Sequence, residues 1–148
     1  MKAARQDYDG FTALMWAAQE GHDSIVDKLI EAKAELNLHN KTGFTALMKA
    51  ADKGHDSIVD ILIEAKAELH LRLQDKSSTA LMKGARYGSV SIVSMLIEAK
   101  VDVNYKNKMG RTARDLALSW KRNQWEEVVH LLDAAIASRE RGYSSYYV

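Results

Sequence analysis

The sequence predicts an all-α solenoid: four stacked helix-turn-helix units joined by short hairpin loops. Three observations carry that expectation. A phrase is written twice, as GFTALMWAAQEGHDSIVDKLIEAKAEL at 10–36 and GFTALMKAADKGHDSIVDILIEAKAEL at 43–69, so that Gly10, Gly21 and Ala32 recur as Gly43, Gly54 and Ala65. Its opening threonine, Thr12 and then Thr45, returns as Thr79 and again one full period later as Thr112. Within each copy the apolar pattern is helical twice, and neither helix can bury its apolar face inside so small a unit, so neighbours must stack. The units read 10–42, 43–76, 77–109 and 110–141. Residues 1–9 read as an extension or remnant cap, and 142–148 as a loose tail.

The first unit shows how each element is justified. TALMWAAQ is a short helix that Gly21 interrupts. SIVDKLIEA is a second, with Ile25, Val26, Leu29 and Ile30 forming its apolar stripe. Asp23 or Ser24 is placed to cap its amides. ELNLHNKTGF is polar and weakly alternating, as a tight hairpin would be. The alanine pair Ala17-Ala18 recurs as Ala50-Ala51 and as Gly84-Ala85. Such small side chains let two helices approach closely.

The pattern G-x-T-A-L, AA-x-x-GH, IV-x-x-LI, A-x-x-N resembles the ankyrin repeat over nearly the whole chain. Thr12-Ala13-Leu14-Met15 is similar to the family's Thr-Pro-Leu-His opening, with alanine for proline and methionine for histidine. Thr45 to Met48 and Thr79 to Met82 carry the same changes. The lost histidine implies more apolar packing at these positions. The resemblance also implies a protein-binding concave side lined by first helices and fingertips. It implies further that Asn37 and Asn104 occupy the hairpin position at which family members can be hydroxylated by an iron-dependent asparaginyl hydroxylase. The simpler reading of these asparagines is side-chain hydrogen bonding within the hairpin.

Two places break the period. LHLRLQDKSSTAL, between units two and three, holds one extra residue, which predicts a bulged fingertip near Leu73 to Lys76. The interval from Thr112 to Val129 is longer than the matching interval from Thr12 to Val26, by nearly one helical turn. The fourth unit therefore needs a longer first helix or a longer turn around Ser119 to Asn123. Trp120 and Trp125 read as apolar cover for the end of the stack, with Trp120 a further contact candidate.

Composition narrows the function. No cysteine is present, so thiol catalysis, thiolate metal sites and disulfides are excluded. The formal charge is +1, which argues against a nucleic-acid binder that works through bulk charge. No apolar run approaches a membrane span. The cytoplasm or nucleus is the expected location. His22 and His55 are repeat-equivalent and read as structural, and no histidine has metalloprotease spacing. An enzyme is not expected, and neither is a cofactor or a metal.

Comparison of equivalent positions marks a candidate surface. Trp16 becomes Lys49 and Lys83; Gln19 becomes Asp52 and Arg86; Glu20 becomes Lys53 and Tyr87. At the fingertips Phe11 becomes Phe44, then a serine, then Arg111. Side chains that vary on a fixed frame are not dictated by packing. Together they suggest a strip that takes a protein or peptide partner with an acidic region and an apolar anchor. A monomer is expected, with end-to-end pairing through the first unit, near Met15, as an alternative. So is a structural role within a longer array.

Overall fold

The computed structural model describes residues 6–71 and 78–145. Eight helices occur among them, and no strand. The first helices are α1 (Ala13–Glu20), α3 (Ala46–Lys53), α5 (Ala80–Tyr87) and α7 (Ala113–Trp120). The second helices are α2 (Asp23–Glu31), α4 (Asp56–Glu64), α6 (Val90–Glu98) and α8 (Trp125–Ser145). First helices pack on first helices in chain order, and each also packs on its own second helix.

Each first helix begins at the same device. Thr12, Thr45, Thr79 and Thr112 accept a hydrogen bond from the backbone N–H three residues on. Such a cap stabilises a helix by about 1 kcal/mol. The second helices start differently. Asp23 and Asp56 are their first residues, not their caps, and neither α2 nor α4 has a side-chain cap. The expected capping by Asp23 or Ser24 is therefore corrected. The carboxylates are used between units instead: Asp23 accepts from the Ser57 hydroxyl, and Asp56 from Ser89.

The core is continuous. Val26, Val59 and Val93 are fully buried, as are Ala18, Ala50 and Ala51. Met15, Met48 and Met82 are each 1% exposed, so apolar packing fills the positions where the family carries histidine. Burial of Met15 also removes it as an end-to-end contact. What the first unit exposes is Ile25, at 46%, although its equivalents Ile58 and Ile92 are at 0%. Gly84 is not merely a weak alanine. A Cβ there would lie 2.6 Å from the Ile92 methyl, so the missing atom makes room for that side chain.

Adjacent units are tied at their turns. The His55 ring covers Gly21 and bonds the Gln19 carbonyl at 2.9 Å. Tyr87 covers Gly54, and the Arg122 carbonyl covers Gly88. The His22 side chain is exposed and, unlike that of His55, makes no hydrogen bond among the described residues, so the two histidines differ in use. Gly54 has φ +74°, and a Cβ on it would run into the Tyr87 ring. Both the backbone and the neighbour demand glycine there.

The fingertips share one construction. Asp7 takes the N–H groups of Asp9 and Phe11; Asn40 takes those of Thr42 and Phe44; Asn107 takes those of Met109 and Arg111. Asp7 and Asp9 thus take part in the first fingertip. The Lys41 N–H joins two tips by donating to the Asp9 carbonyl. The bulge expected near Leu73 to Lys76 lies outside the described residues.

In the fourth unit, α7 has 8 residues, like the other first helices. The extra length sits in the turn at 121–124 and at the start of α8. That last helix continues to Ser145, so 142–145 are helical where a loose tail was expected. Val128 and Leu132 are buried on its inner side.

Ala51→Leu is expected to overpack the α3 core and lower unfolding free energy by about 1–3 kcal/mol, measured by urea denaturation. Unchanged stability would place Ala51 outside a tight contact.

Candidate functional site

The second helices and the first helices differ in charge. α2, α4 and α6 together carry seven carboxylates and one lysine. α1, α3 and α5 carry four cations and two carboxylates. Near-neutral net charge therefore hides a separation: an acidic back and a cationic front, where the front is the side of the first helices and fingertips.

Along the front, the candidate residues are not independent. The Trp16 and Phe11 rings lie 4.6 Å apart, and the Trp16 indole N–H donates to the Asp7 carboxylate at 3.1 Å. The Lys49 ammonium sits 4.7 Å from the Phe11 ring centroid and 4.3 Å from that of Phe44. On the other side of unit two, the Lys83 ammonium lies 4.6 Å from Phe44 and 3.8 Å from the Asp52 carboxylate. Ammonium groups over ring faces are held by the ring quadrupole. Burial pushes the Lys49 pKa below the ordinary lysine value, with Asp52 acting in the opposite direction.

This order corrects part of the sequence reading. Lys83 is only 7% exposed, and Tyr87 packs over Gly54, so neither is a replaceable surface side chain. Phe11, Phe44 and Lys49 are half-buried within the strip itself. Gln19 gives its carbonyl to His55, and its side chain bonds Glu20. Glu20, Lys53 and Arg111 are exposed, as expected. Trp16 is 46% exposed and Trp120 is 44% exposed.

The strip changes character toward its C-terminal end. The fingertip position held by Phe11 and Phe44 is Ser78 in unit three and Arg111 in unit four. A cleft of about 300 Å³ opens there. It is lined by Ser78, Met82, Lys83 and Arg86 of unit three, by Leu116 and Trp120 of unit four, and by the 107–111 fingertip that joins the two. The Arg86 guanidinium carbon lies 4.5 Å from the Trp120 ring, and that of Arg122 lies 4.8 Å from it. Among the described residues, no acidic side chain lines the cleft. Comparison of fingertips in the sequence marks Arg111 but does not reveal that losing the ring leaves a cavity.

The asparagines named for modification have different settings. The Asn37 side chain accepts the Glu68 N–H at 2.8 Å, tying two hairpins together. Asn104 is exposed, and its backbone N–H donates to Asp102.

Repeating paired helices, threonine caps, glycine turns and tied fingertips are the geometry of one family. A model of ankyrin repeats in three copies matches residues 1–72, and one of ankyrin repeats in many copies matches 62–117. The chain belongs to the ankyrin repeat family. Ankyrin repeats are generic protein-interaction modules, and the family is generally non-enzymatic. No curated protein matches the sequence. Among the described residues, no helix of this ankyrin repeat protein is long and apolar enough to cross a membrane.

The Asp7 carboxyl is held below its ordinary pKa, chiefly by the Phe11 N–H, with further help from the Trp16 indole. A lowered carboxylate pKa adds stability above the unfolded-state value that is lost as pH falls through the folded-state value. The Asn40 and Asn107 tips have no such proton. The unaltered chain should therefore lose stability relative to Asp7→Asn as pH drops below the ordinary value of 3.8. Parallel denaturation curves for the two proteins across that range would contradict the assignment.

Proposed function

We propose that this chain is a non-enzymatic adaptor, acting in the cytoplasm or nucleus. It recognises a protein or peptide partner that carries acidic and apolar groups, through the front formed by first helices and fingertips. The observation that carries this reading is the charge separation between front and back, with aromatic rings on the cationic side. A polarised surface steers an oppositely charged partner and fixes its orientation. Tryptophan and arginine are common among residues that dominate interfaces, and Trp16, Arg86, Arg111 and Trp120 supply both. A purely structural face has no need of two tryptophans nearly half exposed.

A second reading has one observation of its own. Ile25 is 46% exposed where Ile58 and Ile92 are fully buried, so the α2 edge is suited to a further helical pair or a second copy.

Affinity capture followed by mass spectrometry tests the first reading. The combined change Trp16→Ala, Lys49→Ala and Arg86→Ala should abolish capture of a partner that an Asp60→Ala protein, altered on the back, still retains. Equal capture by both proteins would refute the front. For the second reading, sedimentation velocity should show concentration-dependent self-association that Ile25→Glu removes. A single monomeric species at high concentration would refute it.

A further inference from the structure

We propose that the cleft between units three and four anchors an aromatic side chain of the partner, flanked in its sequence by carboxylates. The inference rests on the front-face reading above and narrows it to one place and one chemistry.

The array itself shows what fits. In units one and two a fingertip phenylalanine fills the space in front of the first helices. Phe44 lies between Lys49 and Lys83, 4.3 and 4.6 Å from the two ammonium groups. The equivalent residues in units three and four are Ser78 and Arg111, so no ring is supplied. The position on the next first helix, held by Lys49 and Lys83 in earlier units, is Leu116. The result is a cleft of about 300 Å³ with Met82, Leu116 and Trp120 in its wall. That volume is at the lower end of ordinary ligand sites and has room for one aromatic side chain. An aromatic ring from a partner would take the place that Phe44 takes one unit earlier.

The surrounding charge defines the flanking groups. Lys83, Arg86, Lys108 and Arg111 all line the cleft, and no acidic side chain does among the described residues. Lys83 is paired with Asp52, so recognition falls chiefly to the two arginines. Arg86 rests against the Trp120 ring. A guanidinium stacked on a ring keeps its in-plane N–H donors for a carboxylate, which it can hold in a bidentate pair. A nucleic-acid strand would need a longer phosphate track than one cleft between two units provides.

Selection from a displayed library of random dodecapeptides on the intact chain tests the proposal. Enriched peptides should carry a Phe, Tyr or Trp within two positions of at least two Asp or Glu. Synthetic copies should bind the Lys108→Glu, Arg111→Glu double variant about tenfold or more weakly. Ser78→Phe supplies the missing ring and should abolish binding, while circular dichroism and thermal unfolding show an intact fold. Asp60→Ala, on the back and outside the cleft, should leave peptide affinity within about twofold. Peptides lacking the motif, no enriched peptide at all, or peptides that bind the Ser78→Phe protein at unaltered affinity would overturn the cleft. If binding is lost with Trp16→Ala and Lys49→Ala but kept with Ser78→Phe, the cleft fails and the front-face reading stands. Peptides indifferent to every front variant remove both. A single-stranded oligothymidylate that binds and is displaced by Ser78→Phe, with no peptide selected, would replace the peptide by nucleic acid and overturn the proposal.

Discussion

Each helical pair depends on its neighbour to finish burying it. α3 lies between α1 and α5, and α5 between α3 and α7. Val59 and Leu62 are wholly buried in the second-helix layer of unit two, and the alanine pair Ala50-Ala51 is wholly buried in its first helix. Apolar burial of this kind supplies the bulk of the driving force, at about 25 cal/mol per Å² removed from water. Polar links then fix the register of one unit on the next. The His55 bond to the Gln19 carbonyl, the Asn37 bond to the Glu68 amide and the carboxylate–serine pairs each cross a unit boundary.

A frame held from behind and within leaves its front edge comparatively unconstrained, but not empty. Units one and two close that edge with their fingertip rings and Lys49, helped by Lys83 of unit three. Phe11, Lys49, Phe44 and Lys83 form a run of rings and ammonium groups that satisfy one another. Units three and four do not close it. Ser78 is too small, and Arg111 is exposed on its fingertip. One substitution class, ring to non-ring at the fingertip, thus separates a self-satisfied half from a receptive half. The back contributes by contrast: its carboxylates hold serines across unit boundaries and keep positive charge a property of the front.

Much of this is legible in the sequence because core positions repeat with it. Ala50, Ala51, Val59 and Leu62 stand one period after Ala17, Ala18, Val26 and Leu29, so repeat length, helix pairing and alanine contacts follow from reading alone. The first fingertip is harder to see, although Asp7-x-x-Gly10 has the spacing of Asn40-x-x-Gly43 and Asn107-x-x-Gly110. Asp and Asn look different in composition but present the same acceptor oxygen to two amides. Variation between units is also a poor guide to freedom from packing. Tyr87 shows why: it replaces Lys53 by repeat, yet its ring covers Gly54 of the preceding unit. A change at one position can be compensated by a neighbour that is distant in the chain. The cleft is hidden for the same reason, since a missing ring is visible only beside the two rings that are present.

Hydrogen exchange measured by mass spectrometry on the chain, alone and saturated with its captured partner, separates recognition by the front from recognition by the back. Partner-dependent protection should fall on the fingertip segment 107–111 and on α5 and α7, with α2, α4 and α6 unchanged. Protection confined to those second helices, with the front exchanging as in the free protein, would contradict the account.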